Sequence, residues 1–293
     1  MTKIYHLIVP LLFLAIGSSR VEAASLKVSP AGFIIHNVVP GRTYDVYAET
    51  GLQLSIYNDD KVAHTYSLST HRPSEGGRWE KGYLEIPEAQ WCRFEHDEIT
   101  IGAFSNGYAR CFLLIPDEER YYNQHWVVTM GVADKPGLGG IGVAVDIRAQ
   151  IETQSRTRLR SGHPDGLMGI VPSTLVLSPT EKGEVVVFNN GTTSETYKIY
   201  ALADKSKWRT YMAAGFLALP DADWLDLGVT SLTIPAGGKS PLSITAALPE
   251  AVRKSADRYE AIILVEGKGA TGFLRVRIME SDAKKAAVNR DTQ

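Results

Sequence analysis

LEIPEAQWCRFEHDEITIGA (84–103) and LALPDADWLDLGVTSLTIPA (217–236) are two copies of one pattern, set 133 residues apart without a gap. Leu84/Leu217, Pro87/Pro220, Ala89/Ala222, Trp91/Trp224, Thr100/Thr233, Ile101/Ile234 and Ala103/Ala236 are identical. The match continues through LLIPDEER (113–120) against AALPEAVR (246–253) and WVVTMGV (126–132) against YEAIILV (259–265). Self-similarity at a long fixed spacing marks a repeated structural unit. What both copies share is scaffold, so function is sought where they differ.

Strand signals surround the repeat. LKVSP (26–30) and TLVLSP (174–179) open the two copies, each stopped by Ser-Pro. TYDVYAE (43–49) and LQLSIYN (52–58) alternate apolar and polar, with Gly51 turning between them. SIYN (55–58) and VFNN (187–190) each lead into a turn of Asn and Asp or Gly, residues that tolerate left-handed backbone. GIGVAVDIRAQI (140–151) and TGFLRVRIM (271–279) close the copies. Seven to eight short strands per copy, with no long helix, predict an all-β chain of two tandem immunoglobulin-like β-sandwich domains formed by an internal duplication. Short helical turns are expected within 117–124 and 250–257.

The expected layout is a signal peptide over 1–24, domain 1 over 25–151, a linker over 152–171, domain 2 over 172–280 and a disordered tail over 281–293. LIVPLLFLAIG (7–17) is too short to span a bilayer, and Val21 and Ala23 offer the small residues that a signal peptidase reads. Export to a periplasm or out of the cell follows as an expectation. The linker is rich in turn formers from Ser161 to Gly166, which predicts some freedom between the domains. Arg156, Arg158 and Arg160 read as a solvated linker or a docking patch.

A net charge of −2 gives no reason to expect nucleic acid or an anionic membrane as partner. The two cysteines, Cys92 and Cys111, fall where copy two has Leu225 and Ile244, so both are expected in the core. In an exported chain they are expected to form a disulfide. No HxH, HExxH or GxSxG pattern appears, and the glycines near 137–140 do not open a helix. The reading is therefore non-enzymatic, with no cofactor and no metal.

Trp91 and Trp224 recur after the same proline, which makes them core anchors. Aromatics confined to copy one are better contact candidates: Tyr108, Tyr121 and Tyr122 stand where copy two has Pro241, Lys254 and Ser255. Ile141, Val143, Val145 and Ile147 form an alternating apolar stripe on the last strand of domain 1.

Taken together, SIYN, QWCRF, ITIGA, LIP and HWVVTMGV, repeated as VFNN, DWLDL, LTIPAGG, ALP and RYEAIILV, resemble bacterial exported tandem immunoglobulin-like proteins. VSPAGFIIHNVVPGRTYDV (28–46) is similar to the N-terminal domain of WxL-interacting surface proteins, which implies a cell-wall partner. Two such domains behind a signal peptide, with the stripe at 141–147, are also similar to periplasmic pilus chaperones. That resemblance implies pilin-like subunits as partners and β-augmentation as the mechanism. The expected function is a protein-binding or structural module of the cell envelope, with the pilus chaperone as the alternative. An exposed stripe and close-packed domains would favour the chaperone; a buried stripe and loosely arranged domains would favour the envelope module.

Overall fold

Alternation along the strands sets two sandwiches, one per copy. The computed structural model describes residues 26–76, 79–135, 142–160, 162–202, 212–253 and 258–279. The expected signal peptide (1–24) and tail (281–293) lie outside the described residues. In domain 1 one layer runs β1 (Leu26–Ser29), β4 (Leu54–Asn58), β9 (Ser105–Ala109). It continues as β3 (Thr43–Asp45), β10 (Cys111–Leu114), β7 (Cys92–Phe94). The facing layer is β2 (Gly32–Val38), β12 (Ala144–Thr153), β11 (His125–Asp134), β5 (His64–His71), β8 (Glu98–Ile101), with β6 (Leu84–Glu85) parallel to β11.

Domain 2 repeats this plan. One layer runs β13 (Met168–Val171), β15 (Lys182–Asn189), β20 (Lys239–Ala246), β18 (Leu225–Asp226). The other runs β14 (Thr174–Leu177), β22 (Thr271–Ile278), β21 (Tyr259–Glu266), β16 (Glu195–Ala201), β19 (Ser231–Ile234), with β17 (Leu217–Ala218) parallel to β21. In each copy the first strand changes layers at a cis X-Pro bond, Ser29-Pro30 and Val171-Pro172. The duplication holds to single contacts. Asn58 Nδ2 reaches the carbonyls of Val62, Ile101 and Gly102, as Asn189 Nδ2 reaches those of Thr193, Ile234 and Pro235. Thr65 and Thr100 share a hydroxyl bond of 2.9 Å, as Thr196 and Thr233 do.

One expected strand is a helix. Residues 43–49 alternate, but only Thr43–Asp45 is extended; Val46–Thr50 forms α1. The Asp45 carboxylate accepts from the amides of Tyr47 and Ala48, and Gly51 closes the helix at φ 69. These are N-cap and C-cap chemistry, and they override a two-residue period. Domain 2 runs straight through the equivalent stretch as β15. The expected helical turns appear as a 3-10 turn at Glu119–Tyr121 and as α2 (Glu250–Arg253). Among the described residues, no helix is long and apolar enough to cross a membrane.

Cys92 and Cys111 are both buried, as expected, but they are free thiols. Register explains it: Cys92 lies opposite Leu113 and Cys111 opposite Phe94, so the cysteines are diagonal. Diagonal Cα atoms sit roughly 7–8 Å apart across a sheet, beyond the span a disulfide accepts without backbone movement. Burial pushes the Cys92 thiol up, with Cys111 adding to the effect. Burial and the nearby Asp45 push Cys111 up to about 12. Protonated, enclosed thiols are inert. Alkylation at pH 8 is expected to label neither cysteine in native protein and both in denaturant. Absence of label in unreduced, denatured protein would mean a bridge.

Candidate functional site

The outer edge of β12 is the first candidate. β12 pairs with β11 from Ala144 onward, but its parallel pairing with β2 begins only at Arg148, opposite Gly32. Ala144–Ile147 therefore carries no strand on its outer side among the described residues. Val143 and Val145 are half-buried, Ala144 and Asp146 exposed, and Ile147 fully enclosed. The stripe expected at 141–147 is thus graded, open at its start and closed at its end. Ile141 lies outside the described residues. An unpaired edge presents amides and carbonyls ready to pair with another strand.

The second feature is a polar junction that ties the domains together, where freedom was expected. Glu152 at the end of β12 is buried and faces Arg275 on β22. The guanidinium donates to both carboxylate oxygens, Nη2 to Oε1 at 2.5 Å and Nε to Oε2 at 2.7 Å. Tyr83 donates its hydroxyl to Oε1 at 2.6 Å, and His36 Nδ1 lies 2.9 Å from Oε2. Arg275 also donates Nη1 to Glu260 at 2.6 Å, and Arg277 Nε donates to the other Glu260 oxygen at 3.0 Å. Arg275 and Glu260 are 1% and 0% exposed, so two carboxylates and two guanidinium groups balance inside protein. Burial alone would push the Glu152 carboxyl up. Arg275, aided by the His36 hydrogen bond, more than offsets that and holds it well below the usual carboxylate range.

Apolar and backbone contacts complete the junction. Phe273 stacks on His125 at 3.9 Å and packs against Tyr83 at 5.1 Å. Tyr83 and Val127 of domain 1 belong to the core cluster of domain 2. Asn123, at φ 62, accepts on Oδ1 from the amides of Arg156 and Ser173 and from the Ser155 hydroxyl. The gap left beside Asn123, His125 and Phe273 is about 20 Å³, room for one water and for no cofactor.

The aromatic candidates separate. Tyr108 is exposed. Tyr121 and Tyr122 are buried, which removes them as partner contacts. Tyr121 packs edge-on against Trp91 and Trp126 at 4.9 and 5.7 Å. Tyr122 lies under the Arg156 guanidinium at 3.3 Å and donates to Asp117. Arg156 is also paired with Glu119 at 2.7 Å, so it serves the fold. Arg158 and Arg160 are exposed. Neither Glu152, Arg275 nor Glu260 was singled out from sequence. The available signal was a charge inside an otherwise apolar strand, as in YEAIILVE and TGFLRVRI.

No family model and no curated protein sequence matches the chain, so the resemblance to WxL-interacting surface proteins finds no support there. Among solved structures, the chain is similar in fold to a protein of unknown function from Porphyromonas gingivalis. The identity is 12%, over 87% of this chain and 99% of that one, with a TM-score of 0.35. It is also similar to the Salmonella enterica SafA pilin–SafB chaperone complex at 9% identity, over 87% and 96%, with a TM-score of 0.31. The E. coli chaperone DraB aligns at 9% identity over 86% of this chain and 98% of its own, with a TM-score of 0.30. At these values the likeness concerns fold and carries no residue-level correspondence.

Proposed function

We propose that this chain is an exported, non-enzymatic protein-binding module that captures an extended segment of a partner as an added strand on β12. The observation that carries the reading is the outer edge of Ala144–Ile147, left unpaired beside the half-buried Val143 and Val145. Main-chain hydrogen bonds would supply affinity there, and the alternating valines would select apolar residues in the incoming strand. Close docking of the two domains fits a chaperone-type role toward pilin-like subunits better than a loose tandem array. The enclosed Ile147 instead favours a structural envelope module, because it shortens the stripe on offer.

The test is a Val143→Arg/Val145→Arg double variant. It is expected to keep its urea-unfolding midpoint while losing capture of an extended β-strand segment from a co-expressed pilin-like subunit. Capture unchanged in a folded double variant would sink the edge reading.

A further inference from the structure

The far end of domain 1, where β4–β5, β8–β9 and β11–β12 turn, holds a side-chain cluster that domain 2 lacks. His64 opens β5 with its ring held between two carboxylates. Nδ1 lies 3.0 Å from Asp134 Oδ1, and Nε2 lies 3.0 Å from Asp60 Oδ2. The imidazole is largely enclosed and the Asp134 side chain is 4% exposed. A neutral imidazole carries one N–H; only the imidazolium donates from both nitrogens.

Both partners sit at structural roots. Asp134 ends β11, and its amide donates to Val143 across the base of the β11–β12 hairpin; the next amide, Lys135, donates to Thr65. The Asp60 carbonyl accepts the amide of Phe104, an exposed aromatic held at φ 50.

The duplicate serves as an internal control. The equivalent backbone bonds are present in domain 2, from Gly237 to Gly191 and from Gly267 to Ala270. Yet the positions of His64, Asp60 and Asp134 there read Glu195, Gly191 and Gly267. The scaffold therefore forms this end without the cluster.

We propose that His64 is a proton-operated latch, tying the base of the β11–β12 hairpin to the β4–β5 loop when doubly protonated and releasing one of them when neutral. Release leaves a carboxylate without its donor in a largely enclosed site. The charged and titratable groups on the elements that meet at this end are Asp60 and Lys61 from the loop, Tyr66 of β5, whose ring lies 6.0 Å from that of His64, Asp134 and Lys135 from the end of β11, and Glu98 of β8, which pairs with Lys135. Burial lowers the affinity of His64 for its proton, but the hydrogen bonds from Asp134 and Asp60 outweigh it and raise its pKa above 6.5. The latch is thus closed below 6.5 and opens as pH rises through the raised value. It acts on the fold itself, whatever partner β12 receives.

Amide hydrogen exchange in the full chain, corrected for intrinsic rates, tests this with domain 2 as reference. Protection at Asp134 or at Phe104, whichever contact the neutral ring gives up, is expected to fall roughly tenfold relative to its domain 2 counterpart, Gly267 or Gly237, as His64 titrates. Ring nitrogen NMR is expected to show both N–H groups in the closed state. His64→Gln or Asp60→Asn should make the ratio independent of pH. A wild-type ratio that stays constant through the His64 titration, or a single ring N–H while both contacts persist, would overturn the latch.

Discussion

Arg275→Ala is expected to lower the unfolding free energy by about 3–5 kcal/mol. The loss should also allow the two sandwiches to move relative to each other. The guanidinium bridges Glu152 of one domain and Glu260 of its own, and neither carboxylate reaches solvent. Removing it leaves two buried negative charges facing one another, with Arg277 left to Glu260 and His36 to Glu152. Coulomb attraction in the intact cluster need not exceed what desolvation costs; the damage comes from breaking the balance. A triple variant, Arg275→Met with Glu152→Gln and Glu260→Gln, separates the two ideas. Its amides keep acceptors for Tyr83 and Arg277 and remove both buried negative charges, leaving the partly exposed Arg277 as the remaining charge. Urea denaturation should show the triple variant recovering more than half of the loss. A single variant within 1 kcal/mol of wild type, or a triple no better than the single, would refute a balanced buried cluster.

The junction was the least legible part of the sequence, and the reason is physical. Strand periodicity reports which side of a sheet a residue faces, not which distant strand it meets. Glu260 and Arg275 lie on the paired strands of one hairpin, but Glu152 belongs to the other domain, and nothing local links it to them. By contrast, the repeat was legible because the scaffold reuses the same side chains for the same bonds, as Asn58 and Asn189 do. Helix α1 had visible signals in Asp45 and Gly51, but the alternation of Tyr44 and Val46 masked them. Some of the differences between the two copies serve the fold of domain 1 and not a partner. Tyr121 and Tyr122 differ because domain 1 builds an aromatic cluster around Trp126 and a cation–π contact at the linker, not because a partner touches them. His64, Asp60 and Asp134 also differ between the copies, and they form a cluster that the scaffold does not require.

Lowering pH from 7 to 4 is expected to weaken the junction before it weakens either core. His125 is buried against Phe273, and burial pulls its pKa from 6.5 down to about 4, with Glu152 opposing and Arg275 reinforcing the shift. The unfolded chain takes up this proton near 6.5, the folded chain only near 4. The neutral ring thus contributes stability fully present above 6.5, on the order of 3 kcal/mol, which is lost progressively as pH falls between those values. Glu152 acts in the same direction at lower pH: its depressed carboxyl stabilises the fold above about 4.5 and ceases to do so as acid protonates it. His64 has the opposite sign, being fully stabilising below 6.5 and losing its contribution as pH rises. His125→Phe keeps an aromatic face on Phe273 and removes the titration. Urea midpoints measured from pH 7.5 to 4.5 should fall steeply in wild type and much less in His125→Phe. Equal slopes in the two proteins would show that His125 does not govern the acid limb.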